Sequence, residues 1–309
     1  MSPGLLPHPK RYLRLLSSKL CPRIYSYRNY LRFVRSGQVA MTGGIPDDKD
    51  EVERELKRYH INLQDYHIDA KAFFEYLNAA EYPEKYITGN RENFTEKALE
   101  HFLSFQFADI GKESVVVDVA NSGSPFPAII HAMKNCRVIS NDLIFPNGSN
   151  VLTSWHTQIG GNACDLPLPD NSVDLIVLHC AFEMFEGEND KNFVRKAYQL
   201  LRESGTLVIV PLYLHNKHHI LVDPKSPRRK LPGIDPGAER VYRQDFYGVG
   251  FSRIYSPRAL FERLIEKNRK YFEITIYKVV NAQQINERCY LYWIGVFKKQ
   301  INGPQATGL

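Results

Sequence analysis

Residues Val115–Pro127, VVVDVANSGSPFP, decide how this chain is read. The first half is a short run of β-branched residues ending at Asp118, the composition of a parallel strand buried on both faces. Small residues follow, then Pro125 and Pro127, which a first helical turn accepts because its N–H groups have no internal partner. Strand, tight turn and helix is a layout that holds nucleotide-like ligands. Such turns usually carry two or three glycines for positive φ and close backbone approach. Here only Gly123 is a glycine, with Ala120 and Ser122 in the other small positions.

Working outward, CRVISNDL, SVDLIVLHCA and TLVIVPLYL read as further buried strands. PFPAIIHAMKN and NFVRKAYQLLRES read as the helices between them. In the second helix Phe193, Val194, Ala197, Leu200 and Leu201 make one apolar stripe, and Gly205 stands where a left-handed C-cap belongs. SPRALFERLIEKN predicts a helix capped by Ser256, and YFEITIYKVV and RCYLYWIGVFKK predict two strands joined by a polar connection. The pattern predicts an α/β fold: a Rossmann-like doubly wound, mostly parallel seven-stranded sheet with a C-terminal antiparallel hairpin and a helical N-terminal cap.

Residues 49–107 supply that cap, with Phe94, Ala98, Phe102 and Phe105 at helical spacing. The expected organisation is a basic arm over 1–46, a helical cap over 47–110, the main domain over 111–299 with an insertion at 215–250, and a flexible tail over 300–309. The arm holds eight basic residues and no acid, while the remainder of the chain carries about −2 of the net +6. Three readings stand for it: an arm packed on its own domain, an amphipathic contact with an anionic membrane surface or polyanion through residues 10–35, or a transit peptide. Pro22 is expected to interrupt its helices. Five scattered cysteines without a C-x-x-C pair suggest neither a disulfide framework nor a zinc knuckle, and with no long apolar run the expectation is a cytoplasmic protein.

Open α/β sheets bind ligands at the carboxyl ends of their strands. Asp118 follows the first strand, Asp142 the second, and Asp165 lies just before the third. A dinucleotide pyrophosphate would want no acid beside its turn, whereas Asp118 suits an ammonium group. Asp142 suits ribose hydroxyls and Asp165 an adenine amino group. Ammonium, ribose and adenine together describe S-adenosylmethionine.

Residues 114–214 resemble a class I S-adenosylmethionine-dependent methyltransferase of the type 11 group. VVVDVANSGSPFP is similar to its variant first motif. GNACDLPLPDNSVDLIVLHCAFEMF resembles its G-D-A-x-x-L-P-F-P-D-x-S-F-D stretch, and FVRKAYQLLRESGTLVIV its E-x-x-R-V-L-K-P-G-G-x-L-V-I helix and strand. The resemblance implies that Asp118 and the turn Ala120, Ser122 and Gly123 hold the methionine end. It implies Asp142 at the ribose, Asp165 with Leu166 beside the adenine, and His179 or Cys180 beneath the sulfonium. Bland readings stay open: Asp118 as a helix cap, Asp165 as a turn residue, His179 as a satisfied strand-end polar group.

No catalytic residue is assigned; His179, Glu183 and His215 are the candidates, the last as a general base. No acid or cysteine is spaced to complete a zinc site with His215, His218 and His219. The expected function is methyl transfer to oxygen or nitrogen of a small molecule or a glycan or glycolipid acceptor. A non-catalytic binding or adaptor protein of the same fold is the alternative, an aminopropyl transferase a weaker one. Nucleic acid is disfavoured, since no Asn-Pro-Pro-Tyr type sequence follows the third strand.

Overall fold

The computed structural model describes residues 9–41, 45, 47–121, 123–228, 230–243 and 250–301, with side chains from residue 22 onward. Its strands are β1 Asn62–Tyr66, β2 Val115–Val119, β3 Arg137–Val151, β4 His156–Gly160, β5 Val173–His179, β6 Leu201–Val210, β7 His219–Val222, β8 Glu239–Tyr242, β9 Ser252–Ile254, β10 Phe272–Val279 and β11 Trp293–Lys299. Its longer helices are α1 Pro9–Arg35, α2 Lys49–Arg58, α3 Ala70–Ala79, α4 Glu84–Gly89, α5 Phe94–Ser104, α6 Phe126–Lys134 and α7 Asn189–Leu200. The chain divides into two compact units, residues 48–216 with 255–309 and residues 1–47 with 217–254.

The larger unit is built on a sheet ordered β4-β3-β2-β5-β6-β11-β10-β1. Its strands run parallel except β11, which is antiparallel to both β6 and β10. Doubly wound topology and the terminal hairpin are therefore present, with eight strands in place of the seven expected. The addition is β1, which lies inside the segment read as helices. Its sequence, NLQDY, has no buried residue and so carries no apolar signal; pairing along the outer edge of β10 makes it a strand. There Asn62 Nδ2 donates to Thr275 Oγ1 at 2.9 Å.

Helices close both faces of this sheet. Ala98, Leu99, Phe102 and Leu103 of α5 pack in one apolar cluster with Val116, Phe126, Val177 and Val208, so this helix is a layer of the sandwich as well as part of a cap. Val52 and Leu56 of α2, with Phe193, Val194, Ala197 and Leu264, bury the other face. Asp48 caps α2 by accepting from the Glu51 N–H at 2.9 Å. The left-handed residue after α7 is Ser204, φ 62°, rather than Gly205. Gly205 is needed for space: a Cβ there would meet the Arg202 carbonyl oxygen at 2.9 Å and that of Val173 at 3.1 Å.

The smaller unit combines α1 with a three-stranded sheet ordered β8-β7-β9, around Phe33, Ile220, Val222, Tyr242 and Phe251. The basic arm and all but the first two residues of the 215–250 segment thus share one unit. The helix α1 runs through Pro22 without interruption, since an interior proline removes one backbone bond and the remaining turns hold. Buried Arg253 donates from Nε to Asp235 Oδ2 at 2.6 Å, and His218 Nε2 lies 3.1 Å from the same oxygen. His218 and His219 belong to this unit, His215 to the larger one. Residues 1–47 and 217–254 carry sixteen lysines and arginines against five acids.

Candidate functional site

The carboxyl ends of β2, β3 and β5 surround a cavity of about 220 Å³ in the larger unit. Val119 and Ala120 come from the first of these ends, Asn141 and Asp142 from the second, Cys180 and Ala181 from the third. After β2 the chain turns left-handed at Ala120, φ 59°, and again at Gly123, φ 79°. Ala120 thus adopts the backbone of a glycine turn at a cost of about 1–2 kcal/mol. Ser122 lies outside the described residues. The turn is tied down when the Asn121 N–H donates to the Asn141 carbonyl at 3.0 Å and Asn121 Nδ2 donates to Asp118 Oδ2.

Asp142 reaches the cavity with Oδ1 fixed by the Ile144 N–H at 3.0 Å. Asn141, beside it, spends its amide on the carbonyls of Ile159 and Gly161 at 2.9 and 3.0 Å, pinning β3 to the end of β4. Gly160 must be glycine, because a Cβ there would fall 2.0 Å from the Pro146 carbonyl oxygen. Asn162 borders the cavity and caps a single 3₁₀ turn, its Oδ1 accepting from Cys164 N–H at 3.1 Å. Leu143, Ala163 and Phe185 give it apolar walls.

Of the residues expected from sequence, Ala120, Asp142 and Cys180 line this cavity. Asp118, 1% exposed, sits beneath the turn and holds Asn121; its other oxygen is 3.3 Å from His179 Nδ1. Gly123 shapes the turn without lining the cavity. Asp165 is exposed and accepts from Asn162 Nδ2 at 3.3 Å, while Leu166 is buried in the core. Neither borders the cavity, which Gly161, Asn162 and Ala163 line from that loop. The signal was in the motif itself: aligned on G-D-A-x-x-L-P, the family aspartate falls on Asn162, not Asp165. His215 is buried with its N–H donated to the Tyr255 carbonyl at 2.9 Å, and it does not line the cavity either.

Beyond the end of β5 lies a polar cluster that sequence reasoning missed, apart from His179, Cys180 and Glu183. Cys180, φ 48°, borders the cavity and directs Sγ to Glu100 Oε1 at 3.3 Å; the same sulfur is 3.2 Å from Tyr213 Oη and 3.6 Å from Tyr290 Oη. Glu100, fully buried on α5, takes two contacts from Lys97 Nζ at 2.9 and 3.1 Å. One turn earlier Glu96 accepts from the Tyr290 N–H at 2.9 Å. Burial pushes the Glu183 carboxyl up to about 7 and that of Glu96 up to about 8. It also raises the Cys180 thiol and Tyr213 phenol well above their ordinary values, with Glu100 adding to both shifts. His101, held by Tyr82 Oη at 2.9 Å and Ser124 Oγ at 3.2 Å, is kept neutral by burial and by His179. The His179 ring packs against Phe126 and His101 at centroid distances of 4.6 and 4.8 Å. The sequence had no signal for α5 here, because its polar residues share a helix with core-facing ones.

Residues 122–209 match the family model of a methyltransferase domain. No curated protein matches the chain. Among solved structures, a likeness of the main chain trace links it to the YcgJ protein of Bacillus subtilis at 19% identity, over 38% of this chain and 51% of that one, TM-score 0.32. The chain thus spans about half the length of that protein. The 1,6-didemethyltoxoflavin-N1-methyltransferase of Burkholderia thailandensis is similar at 13% identity, over 76% of this chain and 92% of that one, TM-score 0.46. The geranyl diphosphate C-methyltransferase of Streptomyces coelicolor A3(2) is similar at 12%, over 83% and 100%, TM-score 0.45.

Proposed function

From the methyltransferase domain at residues 122–209, we propose that the chain binds S-adenosylmethionine at the ends of β2, β3 and β5 and transfers its methyl group to oxygen or nitrogen of a small acceptor. The observation that carries this reading is the meeting of Asp142, Asn162 and the left-handed Ala120 turn around one cavity with apolar walls. Asp142 accepts from the ribose hydroxyls, and Asn162 pairs with the edge of the adenine between Leu143 and Phe185. The left-handed Ala120 brings its backbone to the methionine end, with Asp118 beneath it holding the turn through Asn121. The cosubstrate supplies a methyl group made electrophilic by its sulfonium. The protein's contribution is to orient the acceptor in line with that methyl group and exclude water, so that positioning carries most of the rate.

Isothermal titration with S-adenosylmethionine tests the reading. Micromolar binding that Asp142→Ala weakens at least about tenfold is the expected result; no binding at millimolar cosubstrate sinks it. Intact binding without methyl transfer to any acceptor would favour the adaptor alternative.

The smaller unit has its own observation. On α1, Ile24, Tyr27 and Val34 are exposed beside exposed Arg23, Arg28 and Arg35. Apolar and cationic side chains on one outward surface suit the headgroup region of an anionic membrane, and we read α1 as a peripheral contact with such a surface. The acceptor reading, in contrast, rests on the larger unit's residues, so the basic arm gives no reason to favour a glycan.

A further inference from the structure

The cluster beyond β5 is short of positive charge. Asp118, Glu96, Glu100 and Glu183 lie there with, among the described residues, a single lysine, Lys97, which is engaged with Glu100 and Cys180. His101 is neutral. Three atoms are left without hydrogen-bond partners: Glu183 Oε2, Glu96 Oε1 on a residue 2% exposed, and His179 Nε2, the far side of a ring whose Nδ1 lies 3.3 Å from Asp118. A buried carboxyl oxygen with no donor is costly, and a protein meets that cost by protonating the group or by binding something that donates to it or neutralises it. Phenol rings stand around the same place. Tyr213 and Tyr290 stack at 6.4 Å, both meet Cys180, and Tyr290 is 46% exposed at the rim. Aromatic faces beside carboxylates attract a cation. An anionic acceptor would face this surplus with Lys97 already engaged, and a neutral alcohol would leave the surplus uncompensated.

Resting on the methyl-transfer reading above, we infer that the acceptor is a protonated primary or secondary amine, received by Glu183 and Glu100 between Tyr213 and Tyr290, with Glu183 as the base that deprotonates it. The Glu183 carboxylate takes one proton from the ammonium nitrogen and passes it on to water. The freed lone pair forms the new N–C bond to the methyl carbon as the C–S bond breaks. That bonding pair returns to sulfur, leaving a neutral thioether and an N-methylated ammonium product. Cys180, bordering the cosubstrate cavity and touching Glu100, stands between the two halves of the site.

The full chain is incubated with methyl-tritiated S-adenosylmethionine and the cationic, neutral and anionic fractions of a deproteinised small-molecule cell extract. The expected result is label in a product retained on a cation exchanger. Glu183→Gln lowers the rate at least about 30-fold with the cosubstrate Kd within twofold of wild type, and Glu183→Asp recovers part of it. Glu100→Gln raises the KM for the cationic fraction. Label confined to neutral or anionic products overturns the amine assignment, as do unlabelled fractions with cosubstrate bound. A cationic product formed at wild-type rate by both Gln variants overturns the role of the two carboxylates. Failure to bind S-adenosylmethionine in the parallel titration overturns the methyl-transfer reading itself and the acceptor with it.

Discussion

Two backbone positions and one side-chain choice summarise the site at the scale of the residue. Ala120 holds a left-handed φ of 59°, a conformation glycine adopts freely. Ala120→Gly should therefore stabilise the protein by about 0.5–1 kcal/mol, since relief of the left-handed strain outweighs the added flexibility of the unfolded chain. Urea midpoints check this, with cosubstrate affinity equal or higher. Gly160→Ala should do the opposite and cost about 2 kcal/mol or more, because a Cβ cannot coexist with the Pro146 carbonyl at 2.0 Å. Asn162→Ala should weaken S-adenosylmethionine binding roughly tenfold, the loss of about 1.4 kcal/mol, while Asp165→Ala leaves the Kd within twofold. An Asp165→Ala variant that loses binding while Asn162→Ala keeps it would restore the sequence assignment. The place of Asp142 at the cavity was legible because the strand pattern fixes where an acid at a strand end falls. Asp165 lies on the same 3₁₀ turn as Asn162, and although both are exposed it is Asn162 that borders the cavity.

Among the elements, α5 carries opposite duties on its two sides. Leu99 is fully buried in the sheet-facing cluster, so Leu99→Ala should cost about 2–5 kcal/mol in chemical denaturation. Its polar side gives the protein a pH signature. Glu96 and Glu183 have carboxyls raised to about 8 and about 7, so the folded state binds protons that the unfolded state has released. Their contribution is complete below about pH 4.5 and is lost as pH rises through 7 to 8. The ligand-free protein should therefore unfold at lower urea concentration at pH 8.5 than at pH 5.5, and Glu96→Gln should flatten that difference; an unchanged slope would remove Glu96 as its source. The helix itself was legible from its spacing, and so were the β-branched strands. The edge strand β1 was not, because pairing with β10 rather than its own composition makes it a strand.

For the whole molecule, charge separates the two units. Sixteen basic residues against five acids in the smaller one, against 24 and 29 in the larger, make an uneven field. Binding to phosphatidylserine-containing vesicles but not to neutral ones is the expected behaviour, weakening at high salt as exposed charge is screened. Ile24→Asp with Val34→Asp should reduce it several-fold in a sedimentation assay. Neutral vesicles binding equally well would point away from the arginines. The strand order carries a consequence for how the chain is made. Asn62 pairs with Thr275, 213 residues further on, and the smaller unit likewise joins residues 1–47 to 217–254. At about 5–20 residues per second, a ribosome exposes the first partner some 10–40 s before the second. For that interval β1 and the basic helix wait outside the tunnel without their complements, so nascent chains stalled before residue 217 should be protease-sensitive at both segments, and resistance should arrive only once residues 217–254 and β10 have emerged.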